Sequence, residues 1–305
     1  MIQQIEEFDP IAYNEQYEEE NQHKDRVKHI GEFTTEALDF LYNGSTEYGD
    51  TMPWHKTQDK FRLRHSEVTL WSGQNGSGKS QVTTQVAVHL SKSMKVGIAS
   101  FEMKPLTTVA RIYQQSIGSN NFVPEYAEKA NQELNLFIYD YVGSVTPVIV
   151  YGMIRYMAVE LGIKHIFIDS LMKCGVNSQE NEPQKKFMSE IQNLAKEHSI
   201  HIHIIHHLRK DKDANSIPDK YSVKGAGELV DLVDNLVLVY RNRKLQEEKR
   251  NAKFNGEQID NMPECKLIID KQRHGNFEGA FNYWWHEQSQ QWVDNDRNEY
   301  HRYVE

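Results

Sequence analysis

The sequence predicts an α/β protein whose mainly parallel sheet is flanked by helices and runs on into an antiparallel C-terminal extension. From about residue 60, short apolar runs bounded by polar or turn residues alternate with helical stretches: Val68–Trp71, Val96–Ala99, Leu136–Tyr139, His165–Ile168 and Ile202–Ile205. Such alternation is the pattern of βαβ units, whose strands lie parallel and are covered on both faces. A glycine-rich turn, Gly73–Ser80, joins the first run to a helix with Val82, Val86 and Leu90 at helical spacing. After residue 234 the strand patterns Asn235–Tyr240, Cys265–Ile269 and Gly279–Trp285 follow without a long helix between them, which suits antiparallel pairing.

Residues 1–31 are polar and acidic, with Glu18-Glu19-Glu20-Asn21-Gln22 at their centre, and read as a flexible or loosely docked extension. Residues 32–59 hold a short helix, Thr34–Tyr42, that Thr34 or Thr35 can cap and Asn43-Gly44 can stop, and a connection. Its apolar face, Ala37, Leu38 and Leu41, is too small to be stable alone, so the helix must dock. The α/β domain then spans 60–296, and residues 297–305 form a tail. Inside the domain a helix runs from Pro147 to Leu161, with Ile149, Met153, Tyr156, Met157 and Leu161 on one side. Thr146 can cap it, and Pro147 suits a first helical position that needs no N–H.

With 38% hydrophobic and 26% charged residues, the 305-residue chain has an ordinary soluble composition and can bury one sizeable core. No run approaches the roughly 18 apolar residues of a membrane helix. The N-terminus Met1–Glu7 is acidic, without the apolar stretch of a secretory signal. Cys174 and Cys265 form no CxxC pair, so neither a disulfide framework nor a structural zinc is expected, and a cytoplasmic setting fits. A formal charge of −9 argues against a surface coated for nucleic acid, although a ring or groove needs only locally basic loops.

Gly73-Gln74-Asn75-Gly76-Ser77-Gly78-Lys79-Ser80 satisfies GxxxxGK[ST], with a strand before it and a helix after. Its glycines let the backbone wrap phosphate and aim N–H groups from a helix N-terminus. Lys79 would neutralise the β- and γ-phosphates and Ser80 would ligate Mg²⁺. Hydrolysis also needs a carboxylate beside the metal and a group to orient water. Asp169, ending the run His165–Ile168, suits the first task. Glu102, in Ala99-Ser100-Phe101-Glu102-Met103, emerges at the same sheet edge and suits the second. His206 and His207 follow the run Ile202–Ile205 and point to opposite sides of a strand. One of them can bond a γ-phosphate, whereas metal binding would need a third ligand. Lys271-Gln272-Arg273-His274-Gly275 sets two cations on one side of an extended backbone. That geometry suits clamping a phosphate, including one bound by a neighbouring subunit, with a solvated basic hairpin as the bland alternative.

In this order the motifs resemble the DnaB-like hexameric helicases, in particular the helicase half of phage primase-helicases and of Twinkle, from about Phe61 to Asp294. The Glu102-Met103 pair and the Lys-Gln-Arg-x-Gly pattern set that family apart from most phosphate-loop groups. The resemblance implies a RecA-like P-loop NTPase fold for residues 60–296. It implies Glu102 as the water-activating base, Asp169 as the Walker B aspartate and His207 as the γ-phosphate sensor. Arg273, with Lys271 beside it, is similar to an arginine finger that reaches the adjacent subunit. Arg241 is similar to an arginine that stacks on the base, with an aromatic partner among Tyr283, Trp284 and Trp285.

The family further implies a replicative DNA helicase that hydrolyses ATP or a dNTP with Mg²⁺ and moves on single-stranded DNA as a homo-hexamer. DNA contacts would come from the loops 173–186 and 209–224. The second carries Arg209, Lys210, Lys212, Lys220 and Lys224 against Asp211, Asp213 and Asp219, able to hold phosphates without reading bases; a solvated surface loop is the alternative. The basic stretch Arg243–Lys253 is a further channel candidate. The helix Thr34–Tyr42 stands where the family has a linker helix packed on the next subunit. No primase module, zinc module or helical N-terminal domain precedes residue 60, so priming would be supplied by another protein or not at all. A separate primase and a DNA polymerase are candidate partners. A RecA- or RadA-like recombination ATPase and a helicase-loading ATPase are the competing functions.

Overall fold

The computed structural model describes residues 9–21, 29–47, 49–121, 123–176, 181–209, 216–223, 226–257, 261–295, 297 and 299–304. The described elements open with helix α1 (Pro10–Asn21), a 3-10 turn and α2 (Thr34–Glu47). The alternating core follows: β1 (Val68–Gly73), α3 (Lys79–Ser91), β2 (Val96–Ser100), α4 (Pro105–Ile117), α5 (Pro124–Glu133), β3 (Leu136–Ile138), α6 (Pro147–Val159), β4 (His165–Asp169), α7 (Asn181–Glu197), β5 (His201–His207), α8 (Ala226–Leu232) and β6 (Asn235–Arg241). Helix α9 (Arg243–Asn255) leads to β7 (Cys265–Gln272), β8 (Gly279–His286) and β9 (Gln291–Val293).

One sheet holds the strands in the order β3-β2-β4-β5-β1-β6-β7-β8-β9. The first six are parallel and the last three antiparallel, as the sequence predicts. Every residue of β1, β2 and β4 is buried, the mark of parallel strands covered on both faces. Strand alternation divides the core. Val68, Leu70, Ile166, Ile168, Ile202 and Ile204 pack under α6–α8, while Trp71, Phe167 and Ile205 face the opposite core with α3. All parallel strands therefore open at one edge, where Gly73, Ser100, Asp169, His207 and Arg241 stand together. Ligands of open α/β sheets bind outside this carboxyl edge.

Four local expectations are corrected. Residues 10–21, read as flexible or loosely docked, are a helix held on α6 by specific contacts. The Pro10 carbonyl covers Gly152, Asn14 meets the Arg155 guanidinium, and the hydroxyls of Tyr13 and Tyr17 donate to Glu160 and Glu197 at 2.7 and 3.4 Å. The contact is made through hydroxyl, amide and guanidinium groups, so no apolar periodicity announces it. Helix α2 runs through Asn43-Gly44 to Glu47, and its Leu38 and Leu41 remain 44% and 74% exposed. Arg243–Asn255, expected to hold no long helix, is α9. Its N-terminus is capped by Asn242, whose side chain accepts from Leu245 N at 3.0 Å, and its C-terminus by left-handed Gly256. It buries only Leu245 and Ala252, too little for an amphipathic signal. Finally, β9 adds a ninth strand that three residues were too short to announce.

The connection before β1 is fastened by a chain of polar groups. An indole N–H only donates. Trp71 Nε1 donates to His203 Nδ1 at 3.1 Å, so neutral His203 carries its hydrogen on Nε2 and donates to His165 Nδ1 at 3.1 Å. His165 then donates from Nε2 to Asp50 Oδ2 at 2.9 Å. Burial keeps both imidazoles neutral by pushing their pKa down. Asp50, His65 and His165 bring three possible ligand atoms within 4.8 Å, but His165 presents a hydrogen there rather than a lone pair, so the trio works as a latch. Among the described residues no helix is long and apolar enough to cross a membrane.

Candidate nucleotide site

The turn after β1 is built for a close approach. A Cβ on Gly73 would come within 2.5 Å of both Ser77 Oγ and the Val239 carbonyl, and Gly76 and Gly78 take φ of 73° and 92°, where L side chains are strained. Gly78 is the N-cap of α3 and offers no capping side chain, which leaves the first-turn N–H groups for a ligand. Lys79 Nζ donates to the carbonyls of Gly73 and Gln74 at 2.8 and 3.1 Å. Burial pulls the Lys79 pKa down to about 8, against the attraction of Asp169 and Glu102.

Ser80 Oγ donates to Asp169 Oδ2 at 2.7 Å. Burial raises the Asp169 pKa, although Ser80 and Lys79 oppose it. A hydroxyl and a carboxylate in contact form a hard-oxygen pair of the kind Mg²⁺ takes, so these residues fit that ion. Glu102 faces them from beyond the end of β2. His207 Nε2 lies 3.4 Å from its Oε1, and Ser170 Oγ donates to the same oxygen at 2.5 Å. The His207 contact, helped by Ser170 and partly offset by burial, holds the Glu102 carboxyl down at about 2. His206 points the other way and is buried. Together Lys79, Ser80, Glu102, Asp169, His207 and Arg241 line one cavity of about 550 Å³.

Residues 60–294 match the DnaB-like helicase C-terminal domain. The chain belongs to this family. A Twinkle homolog protein of chloroplasts and mitochondria from Arabidopsis thaliana is 22% identical over 219 residues, covering 65% of this chain and 31% of the relative. The chain thus spans about a third of that relative's length. A solved ATPase domain superposes with a TM-score of 0.71 at 15% identity, over 89% of this chain and 100% of that one. A DnaB-like replicative helicase, solved for its interactions with primase, gives 0.67 at 16%, over 92% and 71%. At these identities the two structures share the fold.

In this DnaB-like domain the aromatic beside Arg241 is Trp285. The Arg241 guanidinium lies 4.8 Å from the Trp285 ring centroid, and its Nε donates to Gln246 at 2.8 Å. Tyr283 is wholly buried, and the Trp284 indole donates to the Asn261 carbonyl at 2.7 Å. Lys271 and Arg273 stand elsewhere. Lys271 Nζ donates to the carbonyls of Val230 and Asp231 at the end of α8, at 2.7 and 3.1 Å, and Arg273 Nη1 pairs with Asp234 at 2.8 Å. Gln272 pairs with Asn235, the first residue of β6, whereas Arg241 ends that strand at the cavity. Seven residues of strand therefore separate the cations from their own phosphate loop, roughly 20 Å.

On the loop after β5, Arg209 is exposed and its N–H donates to the Ser222 carbonyl at 2.9 Å. Lys220 is exposed, its ammonium 5.6 Å from the Tyr221 ring centroid. Lys210, Lys212 and Lys224 lie outside the described residues. Three neighbours of the cavity had no part in the nucleotide site as read from the sequence: Ser170 stood only as the residue closing the Asp169 motif, Arg243 only as a channel candidate, and Arg111 not at all. Arg111 on α4 lines it, with Nη1 buried and lacking a hydrogen-bond partner among the described residues. Ser170 orients Glu102. Arg243 donates to the Asn75 carbonyl and overlies Gly76. Ser170 directly follows Asp169 and was within reach of sequence reasoning. Arg111 had only its place beside the buried positions Thr108, Ile112 and Gln115 to mark it.

Proposed function

We propose that the protein is an NTP-dependent replicative DNA helicase, a homo-hexameric ring that hydrolyses ATP or a dNTP to move along single-stranded DNA and part duplexes. One observation carries the reading. Glu102 is held ionised by His207 and Ser170 across a single cavity from Lys79, while the cations Lys271 and Arg273 sit too far away to serve that cavity. On this reading another copy supplies the remaining charge at the γ-phosphate end. The exposed Leu38 and Leu41 of α2 offer the apolar face by which a neighbour would be held.

In this reading the phosphate loop Gly73–Ser80 cradles the phosphates and Lys79 neutralises the β- and γ-oxygens. Mg²⁺, held by Ser80 and Asp169, would supply charge neutralisation across those phosphates. Glu102 orients a water and takes its proton as the new O–P bond forms and the bond to the β-phosphate oxygen breaks. His207 bonds both Glu102 and the γ-phosphate and so reports its loss. Arg111 adds a positive charge at that end of the cavity, and Arg241 with Trp285 receives the base. Arg273, beside Lys271, enters from the neighbouring subunit as the arginine finger. Arg209, Lys210, Lys212, Lys220 and Lys224 meet DNA phosphates in the channel. A separate primase and DNA polymerase would be its partners.

The test images the protein with a non-hydrolysable nucleotide and single-stranded DNA, and follows hydrolysis and strand displacement alongside. Closed six-membered rings with DNA-stimulated hydrolysis and unwinding are expected. Long filaments would assign the chain to recombination instead, and stimulation that requires a second protein would assign it to loading.

A further inference from the structure

Asp234 does not belong to the cavity, yet it is 2% exposed and fully engaged. A buried carboxylate persists only where partners satisfy it. One set of bonds faces β1: Asp234 Oδ2 accepts from Val68 N at 2.9 Å, and Asp234 N donates to the Val68 carbonyl at 3.0 Å. The other faces Arg273: Oδ1 accepts from Arg273 Nη1 at 2.8 Å, and the Asp234 carbonyl accepts from Arg273 N at 2.9 Å. The main chain and one arm of the Arg273 guanidinium are thereby fixed to Asp234, while the other arm, Nη2, donates to the Asp231 carbonyl at 3.2 Å. Asp234 itself is fixed to the first residue of the strand that ends in the phosphate loop. The neighbouring Lys271 ammonium donates to the α8 carbonyls of Val230 and Asp231, and among the described residues it makes no bond to a carboxylate.

We propose that Asp234 is the positioning residue of the trans-acting Arg273, holding its guanidinium at the angle at which it meets the adjacent subunit's nucleotide. This rests on the reading of Arg273 as a finger. An unpaired arginine samples many rotamers, and each wrong one leaves the transferring phosphoryl group without its counter-charge. Fixing the guanidinium from behind removes that search. The carboxylate thus acts on the rate through Arg273 and touches no substrate. Its second set of bonds raises a rival role, in which Asp234 merely anchors β1 and so supports its own subunit's phosphate loop.

Mixed rings separate the two roles. The isosteric Asp234→Asn should lower kcat on the order of 100-fold, the effect of misplacing a reacting group, with nucleotide Kd near wild type. Its melting temperature should fall, because the amide must turn an N–H toward Val68 N or Arg273, so the rates are compared at a temperature where both proteins are folded. Asp234→Asn mixed with Glu102→Gln should regain activity, because a ring interface can pair the intact Glu102 of one subunit with the well-held Arg273 of the other. Asp234→Asn mixed with Arg273→Ala should regain nothing, since both spoil the same donated group. The opposite pattern would place the defect in the phosphate loop of the Asp234→Asn subunit itself and overturn the proposal. So would a wild-type kcat for Asp234→Asn. If Arg273→Ala and Glu102→Gln fail to complement despite proven subunit exchange, the trans finger itself is wrong and Asp234 loses its role with it. Where Arg273→Ala alone is too unstable to assemble, Arg273→Lys replaces it, because its ammonium can still pair with the intact Asp234 while the planar guanidinium fork is lost.

Discussion

Replacing Glu102 by Gln keeps the shape of the side chain and its ability to accept from Ser170, but removes the charge and the proton acceptor. Positioned general bases contribute roughly 10²–10⁴-fold, with efficiency following basicity. Glu102 is a weak base, held down at about 2 chiefly by its contact with His207. Much of its contribution is therefore orientation of water, and the expected loss lies in the lower part of that range, roughly 100- to 1000-fold in kcat. Nucleotide affinity should stay within a few-fold, because on the proposed reading Lys79 and the α3 N-terminus hold the phosphates. Single-turnover hydrolysis measures the first quantity and titration with a fluorescent nucleotide the second. The pH profile adds a separate check. Glu102 remains ionised throughout pH 5–8, so kcat should show no acid limb there that Glu102→Gln abolishes. Turnover within about threefold of wild type, or a loss of affinity as large as the loss of rate, would refute the assignment.

Lys79→Ala should abolish turnover and, unlike Glu102→Gln, weaken nucleotide binding. Because the Lys79 ammonium loses its proton near pH 8 in the free protein, affinity should decline as pH rises through 8, with proton uptake on binding in calorimetry near that pH. No uptake would mean that Lys79 keeps its charge without phosphate. Burial pushes the Glu67 carboxyl up from 4.5 to about 7, so the native state binds the extra proton between those values. Stability should then fall as pH rises from about 4.5 to 7, by at most about 3 kcal/mol. Glu67→Gln should flatten the melting-temperature curve across pH 5–8, and parallel curves would exclude this carboxyl as the cause. Replacing Lys210, Lys212 and Lys220 by Ala should weaken single-strand binding equally for all sequences and flatten its salt dependence, leaving basal hydrolysis intact. An unchanged salt slope would return the loop to solvent.

What the sequence displays well is whatever is contiguous. Gly73–Ser80 states its own chemistry because glycine spacing, Lys79 and Ser80 share one turn, and Asp169 and Glu102 follow from strand ends that apolar runs make visible. Alternation even separates buried His206 from His207 at the cavity. Contacts between polar surfaces leave no such trace, which is why the docking of α1 and the existence of α9 were illegible. Arg111 is hidden for a related reason: a helical arginine is usually solvated, and only the packing of α4 turns this one inward. Alternation along β8 sets Tyr283 and Trp285 on one face, and their positions along the strand decide which of them reaches Arg241. The same holds for sidedness. Lys271 and Arg273 read as a phosphate clamp from their spacing, but spacing is silent about which end of the sheet they occupy. The antiparallel turn of β7 against β6 carries them to the edge opposite the phosphate loop. On the proposed reading that separation gives the sheet its use, because one edge receives a nucleotide while the other delivers charge to the next subunit's nucleotide. Asp234, bonded at once to Val68 and to Arg273, stands at that far edge and ties the delivered charge to the start of the strand whose other end is the phosphate loop.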